Sequence, residues 1–478
     1  MADTIQLYTQ YVGAFSALVY PTRRGLAVAS RKQPARIVVL GGGYVGLYTA
    51  LRLQKKLRSN EASVTVIDPQ PHMTYQPFLP EAAAGSIEPR HVTVPLRRTL
   101  DRCHVRTARV TAVDADRKIV TVKTESGSID EIPYDTLVVA LGAVTRLLPI
   151  PGLAEHGIGL KTIGEAVYLR NHVLSRLDLA ASTTDAATRR KLLTFTVIGG
   201  GFAGVEALGE LEDMARSALK YYSTIEANDM RWVLVEAAPR ILPEVRESLG
   251  VYTVDKLRQR GIEVYLKTFA QSVENGHVVL SDGTEYDSDT IIWTAGVTAN
   301  PVLADAGLPL DQRKRVVANA AMQVQGHEGV IWAAGDCAAV PDLSKRDKDP
   351  EATCPPNAQH AVRQAKVLAD NILASLRDKK VTDYFHKNVG AVASLGLHKG
   401  VADVYNTKGK GWAAWAAHRA YHVAKMPTFN RKVRILFGWI GSGLLGREVV
   451  SMVHVAEPRA LDAGQISNML SRQDFAKK

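Results

Sequence analysis

Arg36-Ile-Val-Val-Leu-Gly-Gly-Gly-Tyr-Val-Gly46, followed by Leu47-Tyr-Thr-Ala-Leu-Arg-Leu53, is the stretch that decides the fold. A short β-branched run reads as a buried parallel strand, and the apolar spacing then changes to that of a helix. Between them stands Gly41-x-Gly43-x-x-Gly46. The first glycine allows the tight turn, the second lets backbone approach a pyrophosphate, and the third lets helix and strand pack closely. The helix start that follows, at Tyr44 and Val45, offers free N–H groups and a partial positive charge to phosphate. The next strand, Ser63-Val-Thr-Val-Ile-Asp68, ends in an acid placed to accept hydrogen bonds from a ribose. A structural glycine turn alone explains the loop, but not the strand, the helix and the acid in this order.

The whole unit recurs about 160 positions later as Phe195-Thr-Val-Ile-Gly-Gly-Gly-Phe-Ala-Gly204. Its loop is Gly199-x-Gly201-x-x-Gly204, with Phe202 at the helix start, and its acid is Glu236, at the end of Arg231-Trp-Val-Leu-Val-Glu236. Glu236 lies 32 positions after Gly204, more than the ~20 of the simple motif, so the helix is expected to run on to about Lys220. A carboxylate at this point bonds a 2′-hydroxyl and repels a 2′-phosphate, which favours NADH over NADPH; nearby Arg240 is the one feature that argues otherwise. Two dinucleotide sites on one chain imply one bound and one diffusing cofactor, and NADH beside a non-covalent FAD is the simplest use of the pair.

With 478 residues, 46% of them hydrophobic, the chain is too long for one core, and two or three domains are expected. Cys103, Cys337 and Cys354 form no CxxC or CxxxxC pair, so neither a disulfide framework nor a metal site is expected, and a reducing compartment fits. The net charge of +11 is concentrated late: Gly396 to Arg447 holds nine Lys and Arg against Asp403 alone, a local excess of +8. Such a patch suits an anionic surface, lipid or nucleic acid. No recognised nucleic-acid fold accompanies it, so nucleic acid is set aside.

No apolar run reaches the ~18–20 residues of a spanning helix; Val433 to Gly446 is too short and carries four glycines. Residues 1–34 lack a basic segment before the apolar patch Val12 to Tyr20, so they read as an extension and not as a signal peptide. Ala358 to Arg377, behind Pro355 and Pro356, is a helix candidate; residues 384–405 read as strands and turns, and residues 411–455 as one or two amphipathic helices. Trp412, Trp415 and Tyr421 interleaved with cations suit an interfacial helix over residues 411–450. The alternative use of that helix pair is burial against the body or in a homodimer.

The order of motifs resembles the two-dinucleotide flavoprotein disulfide-reductase superfamily: FAD loop, NADH loop in the middle, Gly335-Asp336 late. Thr136-Leu-Val-Val-Ala-Leu-Gly142-Ala143 is similar to its outgoing interdomain link, and Ile291-Ile-Trp-Thr-Ala-Gly296 to the returning one. The resemblance implies that Asp336 bonds the ribityl chain and that Val110 meets the adenine through its backbone. The missing CxxxxC excludes the disulfide-reductase branch, whose chemistry needs two cysteines beside the flavin. Pro355-Pro-Asn-Ala-Gln-His-Ala-Val-Arg-Gln364 and Gly200-Gly-Phe-Ala-Gly-Val-Glu206 resemble segments of the type II NADH dehydrogenases, the single-subunit NADH:quinone oxidoreductases of respiratory chains. That resemblance implies Gln359 and Gln364 between flavin and quinone, and Glu206 near the nicotinamide.

The expected architecture is α/β. A discontinuous FAD-binding domain, residues 35–150 and 298–383, holds an inserted NADH-binding domain, residues 151–297. A membrane-associating segment over residues 384–478 follows. The expected function is hydride transfer from NADH to FAD and two electrons onward to menaquinone or ubiquinone, without proton pumping. The expected location is peripheral, on the cytoplasmic side of the cell membrane. A sulfide:quinone oxidoreductase would need cysteines flanking the flavin, for which Cys337 and Cys354 are the only late pair. An NADH-sensing flavoprotein similar to apoptosis-inducing factor would need no quinone site at all.

Overall fold

The computed structural model describes residues 33–387, 390–405 and 407–451. The extension expected over residues 1–34 therefore lies almost wholly outside the described residues.

In chain order the elements that position the site begin with β1 (Ala35–Leu40), α1 (Tyr44–Lys56), β2 (Ala62–Asp68), α2 (Leu79–Ala83), β3 (His104–Thr107), β4 (Arg109–Asp114) and β5 (Thr136–Val139). Next come β6 (Ala143–Thr145), β7 (Gly157–Ile158), α3 (Ile163–Ser182), β8 (Thr194–Ile198), α4 (Phe202–Ala218), β9 (Arg231–Glu236), β10 (Glu263–Leu266), β11 (Thr290–Trp293) and β12 (Val297–Ala299). The chain continues with β13 (Ile331–Ala333), α5 (Ala358–Leu376), β14 (Gly390–Ser394), β15 (Gly400–Val404), β16 (Thr407–Lys410), α6 (Gly411–Lys425) and α7 (Phe429–Leu445).

Two five-stranded sheets repeat one plan. The first has the order β13-β5-β1-β2-β3 and the second β7-β11-β8-β9-β10. Every pairing in both is parallel. In each, the strand before a glycine loop lies at the centre and the strand ending in an acid lies next to it. All residues of β5, β8 and β11 are buried, as strands covered on both faces require. The chain passes between the sheets through β6 and returns through β12, and these two links pair antiparallel, Val144 opposite Thr298.

α4 runs to Ala218 and closes in a 3₁₀ turn, Leu219–Tyr221, which accounts for the long interval before Glu236. α5 lies along α1, tied by Arg52 to Asp370 at 2.7 and 2.6 Å and by Thr49 Oγ1 to the Ala365 carbonyl at 3.3 Å.

The tail differs from a simple charged interfacial helix. α6 packs on the antiparallel sheet β14-β15-β16; Gly400 comes so close that a Cβ there would meet Trp415 N at 2.7 Å. Arg419 and Arg447 turn inward onto buried Glu81 and Glu210, so part of the +8 excess is neutralised inside the protein. The exposed apolar stripe belongs to α7 instead, where Phe429, Leu436, Phe437, Ile440 and Leu444 share one side at helical spacing.

Candidate active site

α1 starts at Tyr44 with Gly43 as its N-cap, and no side chain caps it, so the first-turn N–H groups stay free. A Cβ on Gly43 would meet nothing within 4 Å, whereas one on Gly46 would stand 1.8 Å from the Gly41 carbonyl oxygen. The two glycines therefore do different work: Gly46 lets helix and turn touch, and Gly43 leaves the approach to the amides open. Asp68 Oδ2 accepts the Gly42 N–H at 2.7 Å and Oδ1 accepts that of Gln70 at 2.7 Å. The acid braces the loop, and each oxygen keeps a further lone pair for a ribose hydroxyl. Val110 follows directly, since the Ala108 N–H donates to the Asp68 carbonyl at 3.1 Å just before β4 begins.

From the other side of the first sheet, Gly335-Asp336 follows β13. Burial pushes the Asp336 carboxyl up, Lys161 pulls it the other way, and no described residue donates a hydrogen bond to it. Gly142, at φ +63°, likewise has nothing within 4 Å of a Cβ position. A half-buried carboxylate without a donor among the described residues, an uncapped helix start and an open glycine fit a flavin dinucleotide with its pyrophosphate and polyol chain.

The second loop repeats this geometry. α4 starts at Phe202 with Gly201 as an uncapped N-cap. A Cβ on Gly201 or Gly296 would meet nothing within 4 Å, while one on Gly204 would lie 1.9 Å from the Gly199 oxygen. Glu236 Oε2 accepts the Gly200 N–H at 2.5 Å and Oε1 that of Ala238 at 2.6 Å. Arg240 turns away to the carbonyls of Pro243 and Val245, so its guanidinium is engaged with backbone.

Gln364 is buried and its Oε1 accepts the Gly335 N–H at 2.7 Å, so it holds the turn that presents Asp336. Gln359, half-buried at the start of α5, donates through Nε2 to the Gly390 carbonyl at 3.0 Å. Glu206, buried in the second turn of α4, accepts the Ser394 N–H through Oε1 at 3.0 Å. Gln359 and Glu206 thus hold opposite ends of the single strand β14. A Cβ on Gly335 would stand 2.7 Å from Val45 and 3.8 Å from Ala361, which puts the start of α5 against the FAD loop.

Around Glu206 lies a buried charge cluster. His418 Nε2 stands 3.1 Å from Glu206 Oε1, Arg447 Nη2 3.0 Å from Glu210 Oε2, and Arg419 Nη2 3.1 Å from Glu81 Oε2. The Trp439 indole also donates to Glu81 Oε2 at 2.7 Å. Each of three carboxylates from the body faces a basic side chain from the tail, a guanidinium at Glu81 and Glu210 and an imidazole at Glu206.

The pyridine nucleotide-disulphide oxidoreductase family model matches residues 27–365. A type II NADH:quinone oxidoreductase of Mycobacterium tuberculosis is 30% identical over 421 residues, covering 84% of this chain and 87% of that protein. The chain belongs to the type II NADH:quinone oxidoreductase family. It is accordingly an FAD-dependent enzyme that uses NADH. The relative of the same name from Staphylococcus epidermidis is 31% identical over 374 residues, 77% of this chain and 90% of that one. Among solved structures, NDH2 from Plasmodium falciparum in complex with NADH shares the fold at TM-score 0.79 and 19% identity, covering 87% of this chain and 99% of that one.

Several residues of this family member were not singled out from its sequence: Tyr75, Glu81, Lys161, Glu210, His418 and Arg419. One signal was present. Glu206 and Glu210 stand one turn apart on a helix that also buries Glu212 among largely apolar positions, and buried acids need cations to match them.

Proposed function

We propose that this chain oxidises NADH at the β8–α4 loop and reduces a membrane quinone beside the start of α5, with FAD held on the β1–α1 loop. The observation that carries this reading is the repeated loop: two parallel sheets, each with an uncapped helix start, an open second glycine and an acid bracing the turn. When bound, FAD supplies the two-electron carrier between the substrates.

Gly41, Gly43, Tyr44, Val45, Gly46, Asp68, Val110, Gly142, Gly335 and Asp336 are assigned to FAD. Gly199, Gly201, Phe202, Gly204, Glu236 and Gly296 are assigned to NADH. The engagement of both Glu236 oxygens and the diversion of Arg240 support a 2′-hydroxyl over a 2′-phosphate. Gln359 keeps a second amide proton for a quinone oxygen, Gln364 positions the Asp336 turn, and Glu206, which holds the Ser394 end of β14, is assigned beside the nicotinamide. The inserted arrangement, residues 151–297 within 35–150 and 298–383, is supported by the paired links β6 and β12.

The stripe of α7, flanked by Arg431, Lys432 and Arg434, suits insertion into the surface of a bilayer. No helix among the described residues is long and apolar enough to cross a membrane. We assign the docking to the cytoplasmic face, where NADH is made. Anaerobic stopped-flow mixing tests the scheme: NADH should bleach the flavin absorbance, and a quinone should restore it. Bleaching by sulfide and not by NADH would sink the assignment.

A further inference from the structure

Reduction of a quinone by NADH consumes a proton: NADH, H⁺ and quinone give NAD⁺ and quinol. The hydride carries two electrons and one hydrogen, and the second hydrogen must arrive as a proton. The tail helix α6 brings two histidines one turn apart into the interior, with ring centroids 4.5 Å apart. At one end His418 Nε2 stands 3.1 Å from Glu206 Oε1 as an ion-pair contact, and both ring nitrogens are buried with no hydrogen-bond partner among the described residues. At the other end His422 Nδ1 lies 3.1 Å from the Tyr75 hydroxyl. Tyr75 packs edge-on against Tyr44 of the FAD loop at 6.0 Å and tilted against Phe78 at 5.3 Å, and Phe78 meets Trp439 of α7 at 5.6 Å. This aromatic wall runs from the helix with the exposed apolar stripe to the FAD loop, the direction a bilayer-borne planar ring must travel.

We propose that Glu206, His418, His422 and Tyr75 form a proton-carrying line that delivers to the quinone the proton its reduction consumes. It rests on the quinone reading above and adds the route of the proton. Burial opposes a charge on His418, but Glu206, Glu81 and Glu210 around it outweigh that and raise its pKa. Burial and the neighbouring His418 keep His422 neutral. Burial also pushes the Tyr75 phenol far up, with Tyr48 and Tyr421 adding to it, so it stays protonated and acts as a carrier. Arg419 and Arg447 are occupied by Glu81 and Glu210, which leaves His418 as the cluster's titratable cation. In the transfer the His418 imidazolium gives its proton to His422 Nε2. The His422 Nδ1–H passes to the Tyr75 oxygen, and the Tyr75 hydroxyl proton passes to the substrate oxygen. No electrons move along the line, and His418 is recharged through Glu206, the end of the line away from the substrate.

The holoenzyme tests this with Tyr75→Phe, which keeps the ring, and His422→Gln, which leaves the Glu206 pair intact. A general acid of this kind contributes about 10²-fold or more. Both variants should slow reoxidation of the NADH-reduced protein by a soluble quinone by roughly 100-fold or more. They should slow reoxidation by ferricyanide, which takes electrons without protons, far less. They should also flatten the pH profile of the quinone step and diminish its solvent deuterium isotope effect. Histidine-selective NMR supplies a readout independent of turnover: His418 should titrate above free histidine and fall when Glu206→Gln is introduced. Unchanged quinone rates and pH profile in both variants, or an ordinary His418 titration, would overturn the line. A wild-type protein that bleaches with NADH but reduces no quinone would overturn the quinone reading and the line with it.

Discussion

Gly201→Ala separates the role of a loop glycine in binding from its role in folding. Gly201 sits at φ −72° and ψ −176°, extended backbone that alanine adopts freely, and an added methyl meets no protein atom within 4 Å. Folding stability should therefore change by less than ~1 kcal/mol, and flavin content should not change, because the FAD loop is untouched. The methyl does fill the approach to the free N–H groups of α4. Displacing a phosphate from one such charge-assisted bond costs roughly 1.5–3 kcal/mol, or about 10- to 150-fold in affinity. KM for NADH should rise by that factor in steady-state titrations, with the melting temperature and flavin spectrum as controls. Gly204→Ala is the contrast: its methyl would lie 1.9 Å from the Gly199 oxygen, so it should lower the melting temperature itself. A Gly201→Ala protein with wild-type KM, or one that loses its fold, would refute the reasoning.

Other perturbations follow from the same geometry. Glu236→Gln removes the charge that braces the loop, and the NADH-over-NADPH ratio of kcat/KM should fall about tenfold or more, roughly 1.4 kcal/mol; an unchanged ratio would place the discrimination elsewhere. Arg419→Ala leaves Glu81 buried without its cation and should cost about 3–5 kcal/mol in chemical denaturation, much of it recovered by adding Glu81→Leu. Hydrogen bonds from Arg377 hold the Glu61 carboxyl down at about 2. A depressed carboxylate contributes stability that is present above its unfolded pKa and lost as pH falls toward its folded one. Arg377→Ala should therefore flatten the fall in melting temperature between about pH 4.5 and 2. Leu436→Gln with Ile440→Gln should weaken sedimentation with anionic vesicles at least tenfold, since each buried apolar side chain is worth about 1.5–3 kcal/mol; equal binding would move the membrane face away from α7.

The glycine loops were legible because their chemistry is local: strand, turn and helix start lie within a dozen residues, and the bracing acid ends the neighbouring strand. The role of the acids was legible only in part, since Asp68 and Glu236 each spend hydrogen bonds on their own loop amides. The family resemblance implies Gln364 between flavin and quinone; its bond to the Gly335 N–H joins residues remote in sequence and has no local signal. The charge cluster stayed hidden because its pairs are remote in sequence, Glu81 with Arg419 and Glu206 with His418, and no periodicity links residues so far apart. For the same reason the basic tail reads as a uniformly charged surface, although Arg419 of α6 and Arg447 after α7 turn inward and the exposed apolar face belongs to α7.

The central claim is two-substrate chemistry on one flavoprotein chain. Its most direct measurement is steady-state NADH oxidation by the purified holoenzyme with a short-chain ubiquinone or menaquinone, varying both substrates. The account predicts strong stimulation by at least one quinone, with NADH preferred to NADPH. NADH oxidation that neither quinone accelerates would contradict it.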